Sequence, residues 1–303
     1  MRAFVTGGSG FAARYLREHL VAMGDLDVTP AYRVDVTDAA ALQAAFAATT
    51  PDVIYHLAAM SSVATSWQDP TLATRVNVVG TANVLAAVRD IVPQASVVVV
   101  SSSEVYGVIE AITGALDEHT RLAPANPYAA SKVEAEQCAY EAVRVHGQRV
   151  VIARPFTHIG TGQAATFFVP ALTQRLLDAR HTSATTVPVG ALSPRRDISD
   201  VRDTVRAYRL LALFGVSGQV YNVASGDDVA LLDVANYLRE RIAPAVQFVE
   251  DPALLRPVET PVLRGSPHKL HEATGWEPVH TLWGTLDAIV ADAVGTSADS
   301  PNF

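Results

Sequence analysis

The chain has 303 residues, 49% of them hydrophobic and 18% charged, a composition that builds a substantial packed core and excludes a disordered chain. The formal charge of −8 argues against a nucleic-acid surface, which needs clustered Lys and Arg, and disfavours docking to an anionic membrane. The one cysteine, Cys138, excludes an internal disulfide framework, fits a reducing cytosol and stands in no zinc or redox spacing.

The first apolar run, Ala3 to Val5, gives way at once to a glycine turn, without the pattern of a secretory signal. Val97–Val100 is far short of a membrane span. A soluble cytoplasmic protein without a bound metal is the expectation. In chain order, buried strands are predicted at Arg2–Thr6, Val53–Leu57, Ser96–Val100 and Val150–Ala153, with helices at Ala12–Met23, Thr74–Asp90 and Ser131–His146. Such βα alternation implies a parallel sheet with helices on both faces, because parallel strands need crossover helices. The second half is richer in proline and loops, with helices expected at 169–179, 201–214 and 232–242 and a returning strand at 219–223. The fold class is therefore α/β, a Rossmann-type doubly wound sheet with a smaller mixed C-terminal lobe. Residues 1–154 and 197–223 are expected to form the sheet domain, and 155–196 and 224–303 the lobe.

Two motifs carry the chemistry. Gly7, Gly10 and Ala13 follow the first strand directly. A glycine turn there lets backbone approach a pyrophosphate, which rests on the helix N-terminus; Ala suffices at the third position, where close helix–strand packing is the requirement. The acidic residue that binds the adenosine ribose is hard to place, because 27–35 is too short for two ordinary strands and a connection. Arg33 offers a 2′-phosphate contact, although a solvated side chain is the more ordinary reading, so NADH and NADPH stay open as cofactors.

Tyr128 and Lys132 are four apart, on one face of a helix. The lysine cation is expected to lower the phenol's pKa and make it an acid/base group near neutral pH. Ser102, after the Ser96–Val100 strand, would supply a hydroxyl beside the reacting oxygen at the strand carboxyl end, where ligands of such sheets bind. A lone Tyr-x-x-x-Lys reads as a surface pair; beside the glycine turn it reads as hydride chemistry.

Thr6–Phe11, His56–Ala59, Asn77–Thr81, Ser101–Gly107 and Pro127–Lys132 together resemble the extended short-chain dehydrogenase/reductase family over nearly the whole chain. The resemblance implies a catalytic trio of Ser102, Tyr128 and Lys132, with Ser103 and Glu104 as accessory candidates. It places Gly7, Gly10, Phe11, Ala13, Asp35, Ala58, Asn77, Tyr128, Lys132 and the backbone around Pro155 along the cofactor. The carboxyl half, in Phe156–Gln163, Arg196–Asp203, Tyr221–Gly226, Leu255–Ser266 and Gly275–Pro278, is similar to the GDP-6-deoxy-D-mannose reductases of that family. A GDP-linked 4-keto-6-deoxy sugar is the implied partner, met by Thr157, His158, Arg196, Arg256 and Glu259. The arginines would neutralise a diphosphate and Glu259 would accept ribose hydroxyls. Thr157 departs from the family, whose members usually carry Asn there.

Three other readings are carried. A GDP-mannose 4,6-dehydratase would use Glu104 as its base, and an epimerase would use His158. A coenzyme-sensing binding protein would keep the fold without the chemistry. The helices after Asn77 and over Ser131–His146 would form the homodimer interface common in the family.

Overall fold

The protein is described by a computed structural model covering residues 1–108, 114–255 and 257–298. Its centre is a six-stranded sheet: β1 (Arg2–Thr6), β2 (Leu26–Asp27), β3 (Val53–His56), β4 (Ser96–Val100), β5 (Arg149–Pro155) and β6 (Val220–Val223). The strand order is β6-β5-β4-β3-β1-β2 and every pair is parallel. Strands covered on both faces read as continuous apolar runs, and all four residues of β3 and of β6 are buried.

Helices α1 (Phe11–Ala22), α2 (Ala39–Thr49), α3 (Pro70–Ile91), α4 (Pro127–His146) and α5 (Val201–Phe214) cover the sheet. Leu16 and Leu20 of α1 and Val205, Tyr208 and Leu211 of α5 pack on one face. Leu42 and Phe46 of α2, Val84 and Val88 of α3 and Ala139 and Ala142 of α4 pack on the other. By length and apolar composition alone α3 could cross a membrane; here Val84 and Val88 are fully buried against the sheet.

Three local features of the fold have physical causes. β2 is only two residues long. Pro30, without an N–H, follows closely, and the Val5 N–H that a longer strand would engage is taken at 2.8 Å by the Thr29 hydroxyl. Helix α4 starts at Pro127 rather than Ser131 because Asn126 caps it, its Oδ1 accepting from the Ala129 N–H at 2.8 Å, with Pro127 in the first turn. Helix α3 starts at Pro70 on the Asp69 cap and contains a π turn over Arg75–Val79.

A second core lies beyond the sheet. It joins the helices Phe168–Thr182, Leu231–Ile242 and Leu282–Ala298 through Leu172, Leu176, Val234, Leu238 and Leu286. The short strands Thr186–Val189 and Gln247–Glu250 pair beside them. A small cluster of Val105, Tyr106, Leu116, Phe156, Ala224 and Leu263 packs near the carboxyl ends of β4, β5 and β6.

Candidate active site

The chain leaves β1 for β2 on one side of the sheet and later enters β3 on the other, so a crevice opens between the carboxyl ends of β1 and β3. Gly7 stands at its floor with φ +69°, and a Cβ there would lie 2.9 Å from the Ala58 Cα. Thr6 ties the two strand ends together, accepting from the Ala58 N–H at 3.1 Å and sharing a 2.8 Å hydrogen bond with His56. His56 is fully buried, and burial, reinforced by the Lys132 charge, pushes its pKa down to about 3. The turn closes with the Gly10 N–H on the Gly7 carbonyl at 2.8 Å, and Gly10 caps α1 without a side-chain partner. N–H groups at a helix start that no described side chain caps, beside a glycine turn packed directly on the Ala58 backbone, fit a dinucleotide pyrophosphate. Ala13 is buried where α1 meets the sheet, and Phe11 stacks on His158 with centroids 6.3 Å apart.

Asp35 is exposed and accepts from the Thr37 N–H and hydroxyl, both at 2.9 Å; these hydrogen bonds hold its pKa below the usual carboxylate range. The acidic residue at the end of β2 is Asp27, twenty positions after Gly7. Its Oδ1 accepts from the Thr29 N–H at 2.9 Å and its Oδ2 from Arg17 at 2.6 Å. Burial pushes its pKa up, but those donors outweigh it and hold the carboxyl below its usual range. The sequence carried the signal in the spacing from Gly7 to Asp27, obscured because β2 has no room for a normal strand.

Ser102, Tyr128 and Lys132 converge at the carboxyl end of β4. Tyr128 and Lys132 are buried on one face of α4, and the Lys132 Nζ donates to the Val100 carbonyl at 2.8 Å while lying 6.0 Å from the centre of the Tyr128 ring. The Ser102 hydroxyl lies near enough to the phenol to ease its ionisation and accepts from the Glu104 N–H at 3.2 Å. One expectation is corrected. Burial pushes the Tyr128 pKa up to about 12, against the relief from the Ser102 hydroxyl, and the Glu104 charge adds to the rise. The ammonium is itself penalised, since burial pushes Lys132 down to about 8 against the opposing Glu136 charge.

Glu104 accepts from the Asn126 amide at 3.2 Å, and Ser103 is buried beside it. Asn77 sits in the π turn, fully buried, with its Oδ1 on the Met60 N–H at 2.8 Å and its Nδ2 on Ser131 at 2.8 Å. Ser131 in turn donates to the Tyr128 carbonyl at 2.7 Å. Asn77 thus braces the start of α4 against the loop after β3. Pro155 ends β5, paired with Val223.

On the far side of the crevice Thr157 is exposed and His158 half-buried in a short strand beside Ile198–Asp200. His158 Nδ1 meets the Phe156 carbonyl at 3.1 Å, and burial lowers its pKa. The Arg196 guanidinium is buried; it pairs with Glu259 and donates to the Thr260 carbonyl at 2.8 Å. Asp197 is held by Ser225, Gly226 and Gly265, yet burial raises its pKa to about 6. Arg256 lies outside the described residues. Glu136, Arg154 and Asn126 are polar neighbours of the trio that sequence spacing alone did not single out.

Residues 26–287 match the family model described as GDP-mannose 4,6 dehydratase. A GDP-6-deoxy-D-mannose reductase of Pseudomonas aeruginosa is 33% identical over 295 residues, which is 96% of each chain. A GDP-6-deoxy-D-talose 4-dehydrogenase of Aggregatibacter actinomycetemcomitans is 28% identical, covering 91% of this chain and 92% of that one. The solved structure of RMD from Pseudomonas aeruginosa complexed with NADPH superposes with a TM-score of 0.89 at 33% identity, over 97% of this chain and 99% of that one.

Proposed function

The chain belongs to the extended short-chain dehydrogenase/reductase family, in its sugar-nucleotide branch, and from that premise we propose that it is an NAD(P)H-dependent reductase of the 4-keto group of GDP-4-dehydro-6-deoxy-D-mannose, yielding a GDP-6-deoxyhexose such as GDP-D-rhamnose. The meeting of Ser102 and Tyr128 beside the glycine-floored crevice carries the reading. The similarity to the Pseudomonas aeruginosa reductase over nearly full length supports the substrate.

A reduced nicotinamide, when bound, supplies the hydride. The Gly7–Gly10 turn and the α1 N-terminus hold the pyrophosphate. Tyr128 gives its proton to the keto oxygen, and the Ser102 hydroxyl donates a second hydrogen bond to that oxygen as charge develops. A phenol held near 12 by burial stays fully protonated at neutral pH, the form a reduction consumes. Lys132 stabilises the phenolate left behind, and Asn77 and Asn126 fix the helix turn that aims both groups. Arg196 and Glu259 separate to receive the diphosphate and ribose of the sugar nucleotide, with Arg256, Thr157 and His158 completing that side.

In this reading residues 1–154 and 197–223 serve the coenzyme and 155–196 and 224–303 the sugar nucleotide. The protein works in the cytoplasm as a homodimer through α3 and α4. Ala82, Leu85 and Ala86 of α3 and Cys138 and Ala142 of α4 line an outward groove between these helices.

The test incubates the protein with GDP-4-dehydro-6-deoxy-D-mannose and NADPH or NADH, follows absorbance at the nicotinamide band and identifies the product by NMR. Coenzyme oxidation with a GDP-6-deoxyhexose product is expected. No oxidation of either coenzyme by folded protein would reject the assignment. A second reading, the dehydratase, is favoured by one observation: Glu104 is half-buried beside Tyr128 and aimed by Asn126. It predicts consumption of GDP-mannose without added reductant.

A further inference from the structure

Beneath the reacting centre runs a chain of buried polar groups that the reduction does not consume. Glu136 is one helical turn beyond Lys132 on the buried face of α4 and is fully excluded from solvent. Its Oε1 accepts from the Ser101 hydroxyl at 2.5 Å and from Arg154 Nε at 2.8 Å, and its Oε2 accepts from Arg154 Nη2 at 2.6 Å. Arg154, 3% exposed, donates onward to the Tyr106 hydroxyl at 3.1 Å. Tyr106 donates to Asn222 at 2.7 Å, and Asn222 donates to the Leu116 carbonyl at 2.9 Å. Leu116 is paired through its backbone with Arg264 and Ser266, and the Gly265 N–H between them reaches Asp197, the neighbour of Arg196. One connected set of buried hydrogen bonds therefore links the residue before Ser102 to the side of the crevice that holds Arg196.

A buried ion pair is a weak source of stability, because desolvation offsets most of its attraction. Apolar residues of similar size would pack α4 on β5 at least as well. What they would not do is fix the Ser101–Ser102 strand end to α4, or set a negative charge one turn from Lys132. Ser101 donates to the carboxylate side chain, so the carboxylate dictates where that residue, and Ser102 after it, can sit.

We propose that Glu136, clamped by Arg154, is a positioning residue for the proposed reduction: it locks the Ser102 strand end onto the Tyr128–Lys132 helix and holds Lys132 as an ammonium. The proposal rests on the reductase reading for its consequence in turnover, and on geometry for the rest. The charged and titratable groups that meet Lys132 are Tyr128 and Glu136 on its own helix and His56 on β3; Arg154 on β5 stands behind Glu136, and Glu104 and Tyr106 follow β4. His56 is neutral at working pH, and Glu136 is the charge that opposes the effect of burial on Lys132.

The test reads Lys132 directly. The sequence contains two lysines, Lys132 and Lys269, so the free protein labelled at lysine 13Cε gives two NMR signals, assigned with Lys269→Arg. In the unaltered protein Lys132 is expected to titrate near 8. In Glu136→Gln the midpoint should fall by about one unit, the order for losing an opposite charge at this range. Should Glu136→Gln not fold, Glu136→Gln/Arg154→Met removes both buried charges and should move the midpoint the same way. Ser101→Ala, which cuts one hydrogen bond, should lower kcat roughly tenfold with KM and coenzyme affinity within about twofold. An unmoved Lys132 midpoint in a folded Glu136 variant overturns the proposal, as does wild-type turnover by Ser101→Ala. If the unaltered protein reduces no GDP-4-keto sugar, the reductase reading falls, and the lysine titration still decides whether Glu136 governs Lys132.

Discussion

Gly7 faces the Ala58 backbone so closely that a methyl group on Gly7 would come within 2.9 Å of the Ala58 Cα and 3.0 Å of its N. Both atoms are main chain, so neither can rotate away, and φ of +69° strains any L side chain as well. Gly7→Ala is expected to lose about 1–3 kcal/mol of stability and to weaken NADPH or NADH binding by tenfold or more. Thermal unfolding and a fluorescence titration measure the two effects. Coenzyme affinity at the wild-type level would remove the turn from the binding site.

Tyr128→Phe keeps the ring and its packing while deleting the proton donor. Coenzyme affinity should hold within about twofold while kcat drops roughly 10²-fold or more, as for loss of a general acid. Steady-state kinetics beside a binding titration separates the terms. Unchanged turnover would take Tyr128 out of the mechanism.

Lys132 sits near 8 in the folded chain against 10.5 when free. Between those values the unfolded chain binds the extra proton, so this residue makes stability rise with pH across that window, and below 8 the buried cation is a net cost. Lys132→Met should therefore stabilise the protein by about 1–2 kcal/mol at pH 7, a figure discounted for the lost Val100 hydrogen bond, while abolishing turnover. Chemical denaturation at pH 7 and pH 10 checks it. The gain should shrink at the higher pH, and a variant less stable at pH 7 contradicts the account.

Asp27 carries a charge at the rim where an adenosine ribose would lie, and Arg17 shares it at 2.6 Å. A carboxylate accepts from a 2′-hydroxyl and repels a 2′-phosphate. Asp27→Asn should shift the NADH-to-NADPH dissociation-constant ratio toward NADPH by about tenfold. Isothermal titration of both coenzymes measures it. Equal changes for the two would place Asp27 away from the ribose.

Local pattern carried much of this structure. β1, β4 and α5 match their expected limits because their apolar runs end at glycine, serine or an aspartate cap. The Gly7 turn and the pairing of Tyr128 with Lys132 were legible because spacing alone sets them. What spacing could not convey was long-range. The start of α4 depends on Asn126 acting as a cap, and the π turn that buries Asn77 depends on Met60 and Ser131. The rise of the Tyr128 pKa could not be read from a helical repeat, because it follows from how much protein covers the ring. Glu136 was invisible for the same reason, since its partners Ser101 and Arg154 come from the residue after β4 and from β5.

The two-residue β2 has a bearing on how the molecule meets its neighbours in solution. An outermost strand with free amides and carbonyls is a template on which a second molecule can build, and the usual remedy is to line it with charge. Here the rim is cut short, and the next amide inward, that of Val5, is sealed by the Thr29 side chain rather than by another strand. With Pro30 just beyond, that flank offers too little backbone for intermolecular strand addition, and crowded molecules gain no fibrous association from that side.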